Sequence, residues 1–394
     1  MLGRLAVVSE GKIIAYIPDP KSLVISGRLE PAWLPVFYNP AMEFNRDLSV
    51  IILSVYIDKY APHKPVNIVE PLAATGIRCL RYAVEVEGVN KVYCGDIDVK
   101  AYRLIEANIG LNNLWDKIIH TLSEANAYMY KLKAIGVPIL AVDIDPYGSP
   151  APFINASLNL IGNMGLLMVT ATDTAVLEGS KRLKALRRYQ INTYKIPQSR
   201  EVAVRALIGY IARVAAGHDK WIKPLLSAYI DYYIRIYLLI GRSARKAQEM
   251  LDKDIGYAYY CKDLAYVTTD PNINDNIKCH NKIMLGPLWT GDIFDGNLLE
   301  EVTSRLELYS YIGTYKRIVR LLEVLRGEAK IQRYIHQRLD AIASTLKTKT
   351  PPRDKAIEAL ISRGFKATPT HFTPTGLRTD APPNVLIDTL FLTS

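Results

Sequence analysis

The chain has 394 residues, 49% hydrophobic and 22% charged, which fits a globular protein with a sizeable core and enough length for two domains. It has no apolar run long enough to span a bilayer, its opening Met1-Leu2-Gly3-Arg4 does not begin a signal peptide, and its four cysteines lack the spacing of a disulfide framework. These features argue against membrane and secreted classes and predict a soluble cytoplasmic protein. The net charge of +10 points to a polyanionic partner, above all a nucleic acid.

Residues 1–35 read as short strands with turns at Glu10-Gly11 and around Pro18 and Pro20. Asn45-Arg46-Asp47 opens an amphipathic helix with Leu48, Ile51, Ile52 and Val55 at helical spacing. Strands and helices then alternate. Strands are expected at Asn67–Ala73, Lys91–Ile97, Ile118–Leu122, Pro138–Ile144 and Gly165–Thr172. Helices are expected near Gly76–Val86, Val99–Asn112, Ala125–Ala134 and after Pro150. Unbroken apolar strands in such an alternation predict an α/β Rossmann-like fold with a mostly parallel sheet covered on both faces. Thr174–Tyr189 and Arg200–Ala216 look helical, and the alternation ends after Gly217. A small antiparallel element (Tyr257–Thr268, Ile277–Leu285) and helices near Asn297–Arg305, Thr314–Arg326, Ile331–Leu346 and Arg353–Ser362 follow. The reading is an N-terminal catalytic domain over 1–219, with 1–35 as a strand extension, and a smaller α+β domain over 220–394.

Parallel sheets bind ligands at the C-terminal ends of their strands, so the loops there carry the chemistry. The first, Glu70-Pro71-Leu72-Ala73-Ala74-Thr75-Gly76-Ile77-Arg78, has one glycine where a dinucleotide cradle has three. Glu70 on the strand and Gly76 in the turn suit S-adenosyl-L-methionine, which has no phosphate but needs a carboxylate for its ammonium. Arg46 and Arg78 are candidate donors to its carboxylate. Asp96, in Gly95-Asp96-Ile97-Asp98, is the candidate for the ribose hydroxyls, and Glu124-Ala125-Asn126 lies where such folds hold the adenine edge. A lone acid at a strand end is as readily a helix cap; acids and a glycine at three successive ends are a cofactor pattern.

The fourth strand runs into Asp145-Pro146-Tyr147-Gly148. In isolation these residues make a turn; here they end the central strand beside the cofactor loop. An exocyclic amine on a base is a poor nucleophile because its lone pair is delocalised. A carboxylate accepting its N–H restores electron density and can take the proton. Asp145 is the candidate acceptor, with the Pro146 carbonyl as a second, and Tyr147 is a stacking platform opposite Phe37.

Several blocks together resemble one family, the tRNA guanine-26 N2-dimethyltransferases of archaea and eukaryotes. They are Val36–Pro40 with Asn45–Asp47, Leu72–Arg81, Asp143–Pro152, Val169–Asp173, Gly286–Trp289 and Arg378–Pro382. The resemblance implies cofactor contacts from Arg46, Arg78, Asp96, Glu124 and Ala125, catalysis by Asp145, and a guanine held between Phe37 and Tyr147. It also implies tRNA as partner, and a paired guanine must be extruded to reach such a pocket. Many relatives carry two C-x-x-C pairs before the Gly-Pro-Leu-Trp block. Here Cys261, Cys279 and the adjacent His280 do not complete a zinc site, so no metal is assigned and the ribbon is expected to be held by packing.

For RNA contact the candidates are the basic run Lys181, Arg182, Lys184, Arg187 and Arg188, a second cluster around Arg245, and His371 and Arg378 in the tail. The 25 tyrosines against 7 phenylalanines fit an RNA-facing surface, since phenols stack and donate hydrogen bonds. No protein partner is implied. The rival readings are an amino-methyltransferase acting on DNA adenine or a protein amide, and a non-catalytic tRNA-binding protein on the same scaffold.

Overall fold

The computed structural model describes residues 4–19, 31–62, 65–272 and 279–392. The expected turn at Pro20 and the start of the Ile277–Leu285 strand lie outside them. Strands β1 (Leu5–Glu10) and β2 (Ile13–Pro18) form an antiparallel hairpin turning at Gly11, whose φ of +56° is the left-handed conformation glycine allows without strain. Helix α1 (Glu43–Tyr60) starts two residues before the expected point and is buried along most of its length.

The central alternation follows as β3 (Val66–Glu70), α2 (Ile77–Glu85), β4 (Val89–Asp96), α3 (Val99–Leu111), β5 (Ile118–Leu122), α4 (Ala125–Ala134), β6 (Ala141–Ile144), α5 (Ala151–Leu160) and β7 (Gly165–Ala171). Strands β3, β6 and β7 are buried at every position, as their unbroken apolar runs require of strands covered on both faces. Strand β3 pairs in parallel with β4 and β6, β4 with β5, and β6 with β7. The chain moves outward from β3 through β4 to β5 and returns to lay β6 on the other side of β3. The switch point between β3 and β6 is where open α/β sheets bind ligands.

Helices α6 (Thr174–Leu177), α7 (Arg182–Tyr189) and α8 (Ser199–Ala216) come next. The strand–helix alternation ends at Gly217 as expected, but the sheet does not. Strands β8 (Lys220–Ile230) and β9 (Tyr233–Arg242) join the sheet, giving the order β5-β4-β3-β6-β7-β9-β8. They are apolar, rich in β-branched and aromatic residues, and split by Asp231, which turns at φ +49°. After α9 (Ala244–Asp254), strands β10 (Ile255–Cys261), β11 (Tyr266–Thr268) and β12 (Lys282–Trp289) make the expected antiparallel element.

Two compact units result, and they do not divide at 219/220. One comprises Met1–Thr170, Leu239–Gly241 and Glu301–Val319; the other Ala171–Leu238, Arg242–Glu300 and Arg320–Ser394. In the first unit, Thr314 donates its hydroxyl to Asp47 of α1 at 2.6 Å and Tyr311 donates to Glu85 of α2 at 2.9 Å, which ties the late segment to the early one. In the second unit the expected helix Ile331–Leu346 forms only over Leu339–Leu346. Buried arginines claim the carbonyls before it: Arg205 and Arg378 donate to Gln332 O, and Arg378 also to Tyr334 O. Gln337 instead pairs with Leu377 in a small antiparallel sheet.

Cys261 and Cys279 are disulfide-bonded, with Cα atoms 5.8 Å apart across 18 residues. This corrects both the absence of disulfide spacing and the ribbon held by packing alone. The sulfurs and Asp263 lie within 4.8 Å of one another, but an S–S bond removes the thiolates a metal needs.

Candidate active site

Side chains two apart on a strand share a face, so β6 aims Asp143 and Asp145 to the same side. Asp143 is fully buried and accepts from Tyr82 Oη at 2.6 Å; Asp145, where the strand runs out, keeps 17% of its side chain exposed. Between them lies Arg78, on the second residue of α2. Its Nε is 3.0 Å from Glu70 Oε1, its Nη1 donates to Asn45 Oδ1 at 2.9 Å and Ser49 Oγ at 3.2 Å and lies 3.4 Å from Asp143, and its Nη2 donates to Asp145. One guanidinium thus sits among three carboxylates. Burial works against the charge of Arg78, and its acidic neighbours more than offset this, holding it well above the ordinary arginine value. Burial pushes Glu70 up to about 8, outweighing its contact with an Arg78 that Asp143 and Asp145 share.

Phe37 and Tyr147 face each other with ring centroids 5.9 Å apart and planes tilted by 59°. Phe37 is 37% exposed and Tyr147 76%. Parallel rings enclosing a base would stand about 7 Å apart, twice the 3.4 Å stacking spacing of nucleic acid, wider than the gap between these two. Gly148 turns the chain at φ +102° immediately after it.

The loop after β3 is held in an unusual shape. Ala74 (φ +49°) and Gly76 (φ +76°) are both left-handed, and Ala74 N–H donates to Asp96 Oδ2 at 2.8 Å. Asp96 also accepts from Asp98 N–H at 2.9 Å, so it shapes the loop while keeping lone pairs for a further donor. The φ of +76° at Gly76 is a conformation that a residue with a Cβ adopts only under strain, and a Cβ there would also stand 3.1 Å from the Ile105 side chain. At the end of β5, Glu124 caps α4 by accepting from Ala127 N–H at 2.8 Å and holds Asn126 Nδ2 at 3.1 Å; Ala125 is buried. Asn126 Oδ1 is buried with no hydrogen-bond partner, an orphan acceptor of the kind an amino group would satisfy.

Arg46, the residue after Asn45, is also buried. It forms a bidentate pair with Glu10, both contacts 2.6 Å, and Glu10 also binds Arg81 at 3.0 Å. The sequence reading singled out Asp145, Arg78, Glu70, Gly76, Phe37 and Tyr147, which the fold gathers at the switch point. It missed Asp143, Asn45 and Ser49. The period of two on β6 was the signal for Asp143, and the i, i+4 pair on α1 was the signal for the others.

In the second unit, Lys181, Arg182, Lys184 and Arg187 are exposed on and beside α7, while Arg188 is paired with Asp173 at 3.0 Å. Arg245 is exposed and lies 3.7 Å from Glu249. His371 and Arg378 do not face outward, a correction to their expected RNA contact. Arg378 is fully buried and binds Glu201 at 2.9 Å and Glu328 at 2.8 Å; His371 Nδ1 is 2.5 Å from Glu328. An arginine enclosed by two carboxylates is a structural cation, not a phosphate ligand.

The seven-stranded, mostly parallel sheet with its helices has the architecture of a Rossmann-like methyltransferase. A family model for N2,N2-dimethylguanosine tRNA methyltransferase matches residues 20–391, and the chain belongs to that family. It is 42% identical to a tRNA (guanine(26)-N(2))-dimethyltransferase from Aeropyrum pernix over 96% of this chain and 95% of that one. A counterpart of the same name from Saccharolobus islandicus is 38% identical over 96% of each. The solved structure of Trm1 from Pyrococcus horikoshii with S-adenosyl-L-methionine superposes with a TM-score of 0.84 at 31% identity, covering 98% of this chain and all of that one.

Proposed function

We propose that this chain is a tRNA (guanine(26)-N2)-dimethyltransferase, moving one or two methyl groups from S-adenosyl-L-methionine to the exocyclic amine of guanine 26. Family membership supports the reaction, and one observation carries the site: a mostly buried Asp145 that still reaches the surface at the sheet's switch point, between a buried acid–arginine cluster and two facing aromatic rings. The donor set fits the cofactor. The orphan Asn126 Oδ1 suits an amino group, Asp96 has acceptor capacity left for hydroxyls, and the acids around Arg78 outnumber it where a cationic group would lie. When bound, the sulfonium supplies an electrophilic methyl group.

Asp145 accepts an N–H of the guanine amine, which raises electron density on nitrogen and gives the proton somewhere to go. Arg78 Nη2 fixes one carboxylate oxygen and leaves the other for the amine. Phe37 and Tyr147 hold the extruded base flat, so that positioning supplies much of the rate. The once-methylated amine keeps one N–H, which Asp145 accepts in a second round. Lys181, Arg182, Lys184, Arg187, Arg188 and Arg245 contact RNA phosphates.

The test is mass spectrometry of a tRNA transcript incubated with the chain and the methyl donor. N2-methylated guanosine is expected in the fragment holding position 26, and none from a transcript with adenine there. Methylation independent of that base, or absent, contradicts the assignment.

A further inference from the structure

The second unit contains a polar cleft of about 370 Å³ that no part of the proposed reaction uses. Its walls come from the loop before α8, the first turn of α8, Tyr229 of β8, the segment His336–Arg338 and the loop Phe372-Thr373-Pro374. Its volume is that of a small-ligand site.

Three cations line it, and two are neutralised. Lys195 is paired with Glu178, which also accepts from Tyr229 Oη at 2.6 Å, and Arg338 is paired with Asp340. Arg200 differs. It donates Nη1 to the carbonyl of Phe372 at 2.8 Å and lies over the ring of Tyr229 at 5.1 Å, and among the described residues no carboxylate forms an ion pair with it. A carbonyl and a ring hold this guanidinium in place without cancelling its charge, and most of its N–H donors remain available. It stands in the first turn of an 18-residue helix, whose dipole adds positive potential at that end.

The site is also rigid. Glu328 accepts from His371 N–H at 2.8 Å and Thr370 Oγ1 at 2.9 Å, pinning the loop that carries Phe372, and is itself held by the buried Arg378. His336 stacks on Phe372 at 5.1 Å with planes 15° apart, and its Nδ1 is held 2.8 Å from Glu201. The His371 and Arg378 that the sequence offered as RNA ligands therefore build the support for Arg200.

We infer that this cleft is a phosphate-binding subsite that takes a phosphodiester of the RNA substrate, with Arg200 as its charged ligand. The RNA source rests on the proposed function and on the net charge of +10; the alternative source of the same chemistry is a free phosphorylated small molecule. Arg200→Gln and Arg200→Lys are compared with wild type for binding of a tRNA transcript over a range of salt, for KM and kcat, and for binding of inorganic phosphate. Arg200→Gln is expected to weaken transcript binding about tenfold and to lower the slope of log Kd against log salt by about one, the signature of one lost phosphate contact. kcat and cofactor affinity are expected to stay unchanged, and Arg200→Lys to recover most of the loss. An unchanged transcript Kd, or a loss with an unchanged salt slope that Arg200→Lys does not repair, overturns the inference. Phosphate bound by wild type but not by Arg200→Gln, with an unchanged transcript Kd, assigns the cleft to a free ligand and overturns the RNA source. A wild-type chain that binds transcript through Arg200 yet leaves guanine 26 unmethylated keeps the subsite and overturns only the proposed function.

Discussion

Asp145 and Tyr147 belong to one turn but stand under different constraints. Arg78 fixes the carboxylate, whereas the phenol ring is 76% exposed and stands against Phe37, and the 5.9 Å between those rings is short of what a base requires. The role proposed for Tyr147 is a flat surface that stacks on the base, not a hydroxyl that reacts. Tyr147→Phe should retain kcat and KM within about twofold. Tyr147→Ala should lose about 1–3 kcal/mol, the value of one base–aromatic stack, mainly in kcat/KM for the transcript; steady-state kinetics on both variants separates stacking from acid–base chemistry. Loss in Tyr147→Phe equal to that in Tyr147→Ala would move the hydroxyl into the reaction.

At the scale of elements, β3, β6, α1 and α2 converge on a buried charge cluster, and its least supported member is Glu70. Its folded value of about 8 lies above the ordinary 4.5, so the folded chain holds a proton that the unfolded chain releases. The stability this contributes is complete below about pH 4.5 and fades as pH rises toward 8. Glu70→Gln should remove this part of the pH dependence, so melting curves of the variant should fall less than wild type between pH 5 and 8; parallel curves would show that Glu70 is ionised in the fold. The sequence made β3 and β6 legible because doubly covered strands are unbroken apolar runs, and it made the Asp145 turn legible because turn formers follow one of them. The hairpin β8–β9 was passed over although its two apolar runs meet at Asp231: its period of two competes with full burial, which erases the alternation. The break before Leu339 could not be read at all, because it depends on carbonyls taken by Arg205 and Arg378 from far along the chain.

Across the whole molecule, the two compact units interleave in sequence, so a cut at 219/220 would separate Glu301–Val319 from the unit that holds Asp145. The Cys261–Cys279 bond closes a short loop in the other unit. For a loop of this size the cross-link is worth about 3 kcal/mol, and a double Cys261→Ser, Cys279→Ser variant should melt lower by an amount of that order. Thiol titration in denaturant should find only Cys79 and Cys94 free until reductant is added; all four reacting at once would contradict the disulfide. The role proposed for Asp145, acceptor to the guanine amine, is tested by comparing wild type with Asp145→Asn on the same tRNA transcript. Single-turnover mass spectrometry of the fragment containing guanine 26 should show methyl transfer slowed by about 10²–10⁴, with transcript and cofactor dissociation constants within about twofold of wild type. Transfer at the wild-type rate would contradict the account.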